Sequence, residues 1–217
     1  EAGIVDLALA AFRRFAPDPE FQNLGNLGCF FDHCPRNVQR FGELGGIALV
    51  HEIAKAHYNN SLVQFNAFCA FSSGCAHANN AACGSEPGLI GFMAGVMRDH
   101  RQGRVREEVM QVVKSVAAAG PEFRGRLLEA GMLPQLLQVL EERVDSWVDQ
   151  SVACEALSAL VGFDWQAPRL GAAAFRPEVQ ALMAEEGALG RVVRSMDLPA
   201  TLAPPAGHGG QNEGALR

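Results

Sequence analysis

Two clusters of potential metal ligands stand out first. Cys29, His33 and Cys34 fall within six residues, and Cys75, His77 and Cys83 within nine. Structural zinc wants four tetrahedral ligands, commonly delivered as short Cys-x-x-Cys pairs. Neither cluster has that spacing, and buried cysteine behaves as a small hydrophobe. The six cysteines, Cys69 and Cys154 included, are read as reduced thiols, with no metal and no other cofactor. His51 and Glu52, with His57 beyond, could supply an acid and a base, yet adjacent residues on a helix do not face each other. The chain shows no phosphate-cradling glycine loop, nucleophile elbow or His-Glu-x-x-His pattern, so it is read as non-catalytic. The densest charge run, residues 98 to 106, carries Arg98, Arg101, Arg104 and Arg106. It is a candidate contact for an acidic or phosphate-bearing partner, set against the plainer reading of a solvated loop between helices.

Positioning such residues falls to helices. The 217 residues are 48% hydrophobic, with one Tyr and thirteen Phe, enough for a continuous core and suited to helix-on-helix packing rather than a sheet. A formal charge of −6 speaks against a nucleic-acid surface, which needs clustered Lys and Arg. No apolar run approaches the roughly 18 residues of a membrane span and no secretory leader opens the chain, so an intracellular, cytoplasmic location is expected.

The strongest organising signal is a repeated phrase. Glycine stands before an apolar helix at Gly3, Gly46, Gly88, Gly131 and Gly187, with intervals of 43, 42, 43 and 56 residues. A period of roughly 40 to 47 residues is that of two- or three-helix solenoid repeats. Each unit reads as a short helix, the glycine, a second helix and a long third helix. Units are expected at 1–45, 46–87, 88–130 and 131–186, with a partial unit at 187–197, making a repeat domain over 1–197 and a Pro/Gly-rich flexible tail over 198–217. Asn60 or Ser61, Asp145-Ser146 and the Pro121-Glu122 pair read as helix starts. Gly25 and Gly28 interrupt the first long helix and should fray it or mark a close contact. The extra residues of the fourth period fall between Leu160 and Pro177, where Trp165 either tucks back or makes contacts. Glu1 lies inside the repeated Glu-Ala-Gly phrase, from which the chain is expected to begin partway through a longer product.

The segment Gly131-Met132-Leu133-Pro134-Gln135-Leu136-Leu137, preceded by Glu129-Ala130 and followed by Ala153-Cys154-Glu155-Ala156-Leu157-Ser158-Ala159-Leu160, resembles an armadillo repeat. The likeness extends from Glu1 to Met196, with a HEAT-type array as the structural alternative. It implies an all-α, right-handed α-solenoid whose third helices line a concave groove, and a scaffold or adaptor that holds a partner protein or extended peptide there. The alternative is a structural segment of a larger solenoid or assembly, stacked on further repeats and with no ligand of its own.

Core positions on the third helices are expected at Leu24 and Leu27, Ala67 and Ala70, Val109 and Val112, and Ala153 and Ala156. Their exposed neighbours are the candidate groove: Gln22, Asn26 and Phe30, then Phe65, Cys69 and Ser73, then Glu107, Gln111 and Ser115, then Ser151, Glu155 and Ala159. Nuclear-import adaptors of the family carry Trp and Asn ladders in these rows. This chain departs from that pattern at every row, since neither Trp147 nor Trp165 takes the ladder position, while Glu107 and Glu155 would favour a basic ligand.

Overall fold

In the computed structural model, the residues described are 3–24, 27–31, 34–75, 80–101, 104–143 and 145–162, with residues 181 and 187 singly. The insertion with Trp165, most of the partial unit and the Pro/Gly-rich tail lie outside the described residues, as do Asn26, His33 and His77.

The described chain is all helical, with no strand among its residues. In order come α1 (Ile4–Arg14), α2 (Pro19–Leu24), a 3-10 turn (Leu27–Phe30), α3 (Pro35–Glu43), α4 (Gly46–Ala56) and α5 (Ser61–Gly74). Then follow α6 (Asn80–Ser85), α7 (Leu89–Asp99), α8 (Arg104–Ala118), α9 (Pro121–Glu129), α10 (Met132–Glu142) and α11 (Trp147–Val161). Where one long helix was expected after Pro17-Asp18-Pro19, the described residues form α2 and the 3-10 turn, and Gly25 lies outside them. No described helix is long and apolar enough to cross a membrane.

The helices after the repeated glycines set the frame. α1, α4, α7 and α10 are each 11 residues long. Gly45, Gly88 and Gly131 cap the last three in the left-handed region, with φ of 69°, 78° and 75°, where a side chain would be strained. Gly187 shares that conformation, with φ 63°. The glycine intervals are therefore 43 and 43 residues, and Gly45, rather than Gly46, is the equivalent position. Gly46 is needed for space: a Cβ there would meet the Phe41 ring.

Side-chain caps start two of the long helices, α5 and α11, as expected. Asn60 accepts from the backbone N–H groups of Leu62 and Val63, at 3.1 and 3.2 Å, and Ser146 accepts from that of Asp149. Pro121 opens α9. Packing follows the same period: α5 lies against α8 and α8 against α11, while α3, α6 and α9 pack on α4, α7 and α10. One continuous core runs through all of them, including the expected Leu27, Ala67, Ala70, Val109, Val112, Ala153 and Ala156.

A buried hook recurs between each second helix and the long helix after it. The Gln64 amide donates to the carbonyls of Ala54 and His57, at 2.8 and 3.1 Å. Gln150 does the same for Leu140 and Arg143, at 2.9 and 3.0 Å, and Gln22 reaches the carbonyl of Phe15 at 2.9 Å. In the third copy Arg106 substitutes, its Nε donating to the Met97 carbonyl at 3.0 Å. These are the carbonyls that a helix C-terminus leaves without intrahelical partners. Histidine ties neighbouring copies together, since Nε2 of His57 meets the Ala16 carbonyl at 2.8 Å and Nε2 of His100 meets that of Tyr58 at 2.9 Å.

Candidate protein-binding surface

The face formed by α5, α8 and α11 carries most of the candidate residues. Phe65, Ser73, Glu107, Gln111 and Ser115 are half-buried, and Ser151 and Glu155 are exposed. Four candidates fall elsewhere, among them Phe30 at the end of the 3-10 turn. Gln22 is 1% exposed because it is one of the hooks. Cys69 is buried within α5, and Asn26 lies outside the described residues. A polar residue two positions from an expected core leucine looked solvent-facing by periodicity alone, but its amide is consumed by a helix terminus.

Links between neighbouring helices cross this face. Ser72 Oγ lies 2.7 Å from Glu108 Oε2, joining α5 to α8, and Lys114 Nζ lies 2.8 Å from Glu155 Oε2, joining α8 to α11. Sequence reasoning missed Ser72, Glu108 and Lys114. The signal was present, since Phe65, Glu108 and Ser151 stand 43 residues apart, as do Ser72, Ser115 and Ser158.

Glu107 is the electrostatic exception. Burial raises its pKa, and the nearby carboxylates of Glu108 and Asp149 add to the rise, with Arg104 opposing. Asp149 is held by Arg143 at 2.9 Å. A cation brought close to Glu107 would relieve an unfavourable charge, so the start of α8 favours a basic group. Trp147 stands exposed at the start of α11, and the Cys154 thiol, half-buried on α11, has its pKa raised by burial and by Glu155.

The Arg98 to Arg106 segment is not the open basic loop that its composition suggested. Arg98 pairs with Asp99 at 3.0 Å and Arg101 with Glu142 at 3.1 Å. Arg106 is 3% exposed and shares Glu142 at 3.0 Å. Arg104 is exposed at the start of α8. Glu142 accepts from both arginines and from Gln138; burial pushes its pKa up, but these hydrogen bonds outweigh burial and hold it below the usual value. The remaining cleft here is lined by Ser61, Arg98, Asp99, His100 and Arg101. Tyr58 donates to Asp99 at 2.7 Å, and burial followed by that bond pushes its pKa up to about 12.

The candidate chemistry disperses. Cys75 and Cys83 form a disulfide, which corrects the reading of all six cysteines as reduced thiols, while Cys34, Cys69 and Cys154 are outside any disulfide. His51 is buried against Phe92, with Nδ1 3.4 Å from Glu86, while Glu52 pairs with Lys55 on the surface. Among the described residues no three of His, Cys, Asp and Glu converge. No family model matches the chain, and neither a curated protein nor a solved structure matches it.

Proposed function

We propose that this chain is an armadillo-type, right-handed α-solenoid that serves as a non-catalytic scaffold, holding a partner protein or an extended peptide across α5, α8 and α11. The observation that carries the reading is recurrence. Three long helices lie side by side, and the hydrogen bonds joining successive units span a nearly constant separation: 41 residues for His57 to Ala16, 42 for His100 to Tyr58 and 41 for Lys114 to Glu155. Such a surface presents side chains at regular intervals without a deep pocket, and the carboxylates at Glu107 and Glu108 suit a partner segment carrying Lys or Arg.

The test is capture of a partner by the full chain, with the contact mapped by cross-linking. A Gln111→Arg/Ser151→Arg variant should lose the captured protein at least tenfold, whereas Glu52→Lys, on the exposed side of α4, should retain it. Equal retention by both variants contradicts the reading. A second reading, a structural segment within a larger array, is favoured by one specific observation: Ile4 and Leu7 on α1 are exposed.

A further inference from the structure

The short helix that leads up to each repeated glycine is held to the core by apolar side chains. On α3 these are Val38 and Phe41, and on α9 it is Leu127. Phe41 and Leu127 each stand four residues before a left-handed glycine, Gly45 and Gly131, and both are fully buried. The residue four before Gly88 is Gly84. α6 therefore has no side chain where its counterparts carry a large one, and it is six residues long against their nine. Ala81, Ala82 and Ser85 on it are exposed, whereas Cys83 is buried and bonded to Cys75, just past the end of α5. The bridge thus stands in for the missing apolar anchor. The space beside Gly84 goes to a neighbour, because the Phe123 ring of α9 fills the place that a Cβ would need. Arg126 Nη1, also on α9, donates to the Gly84 carbonyl at 2.6 Å.

We propose that the Cys75–Cys83 bridge is a redox latch: reduction frees α6 from the core while the other helices keep their packing, and reoxidation seats it again. A dithiol reductant supplies the chemistry. One of its thiolates attacks a sulfur of the bridge, giving a mixed disulfide and releasing one cysteine; its second thiol then closes a disulfide within the reductant and releases the other. Two electrons and two protons pass to the protein, and two thiols remain. Once reduced, α6 keeps no large apolar anchor of its own, and a helix of six residues does not persist alone. Cys75 and Cys83 are both 0% exposed, so exchange passes through a local opening of α6 rather than through attack on a surface bond. Because Phe123 and Arg126 rest on Gly84, release of α6 also removes a seat of α9. The change therefore reaches the junction between the third and fourth units.

Thiol labelling of the full chain tests the latch, with each cysteine followed by peptide mass spectrometry and its rate divided by its own rate in urea. Before reduction, iodoacetamide should leave Cys75 and Cys83 unlabelled. After treatment with dithiothreitol and anaerobic desalting, Cys83 should be alkylated at least tenfold faster than Cys69, the reference thiol buried on α5, while far-ultraviolet circular dichroism keeps most of its helical signal. Labelling of Cys75 and Cys83 without reductant overturns the proposal, since there is then no bridge to open. Equally slow labelling of Cys83 and Cys69 after reduction overturns it too, because α6 has stayed seated. Collapse of the helical signal on reduction is the third contrary result, for the bridge would then hold the whole chain rather than one helix.

Discussion

Single residues decide whether the helix junctions hold. Gln64 satisfies two carbonyls at the end of α4 while fully buried. Gln64→Leu leaves both acceptors without partners, which costs about 2–4 kcal/mol and is measured by urea denaturation. The glycines separate conformational need from spatial need. At Gly131 φ is 75° and nothing lies within reach of an added Cβ, so Gly131→Ala should cost only backbone strain, about 1 kcal/mol. At Gly46 the obstacle is the Phe41 ring and carbonyl, and Gly46→Ala should cost about 2–3 kcal/mol through overpacking. Glu107 sets a pH signature. Its folded pKa is raised, chiefly by burial, so its contribution to stability is present below the unfolded value and lost as pH rises through the folded one. Glu107→Gln should therefore stabilise the protein at neutral pH and lose that advantage on acidification. Asp6 and Asp99 work the other way. Arg40 holds Asp6 low, and Tyr58 followed by Arg98 holds Asp99 low, so their contribution is present above the ordinary carboxylate range and lost as pH falls through their folded values.

At the scale of the element, helix starts were legible in the sequence because their signals are local. Asn60, Ser146 and Pro121 act within one turn of where they stand. The hooks were not legible, because a glutamine that serves a carbonyl seven to ten residues earlier looks like any polar residue on a helix surface. Arg106 was misplaced for the same reason: charge patterning assumes solvent, whereas its guanidinium is committed to the Met97 carbonyl and Glu142. The one-residue slip at Gly45-Gly46 arose because adjacent glycines leave periodicity undecided. The Cys75–Cys83 bridge joins the end of α5 to α6 across a sequence separation of 8. Closing so short a loop stabilises by about 2–3 kcal/mol through the unfolded state. Reduction should lower the denaturation midpoint accordingly, and Cys75→Ala/Cys83→Ala should reproduce the loss without sensitivity to reductant.

At the scale of the molecule the repeat itself was the legible part, because a 43-residue recurrence of glycine and apolar helix survives local variation. The residues on the α5, α8 and α11 face were only partly legible, since exposure there depends on how neighbouring helices pair, through Ser72 with Glu108 and Lys114 with Glu155. If each unit contacts mainly its neighbours, removing one period, residues 89–131, should leave a shorter chain that still unfolds cooperatively, though less stable because α5 would then meet α11 in place of α8. The most direct measurement is a crystal structure of the full chain. The account requires α5, α8 and α11 side by side, with left-handed glycines at 45, 88 and 131 and the hooks of Gln64 and Gln150 on the preceding helix ends. Helices gathered into a closed bundle, with those glutamines in solvent, would contradict it.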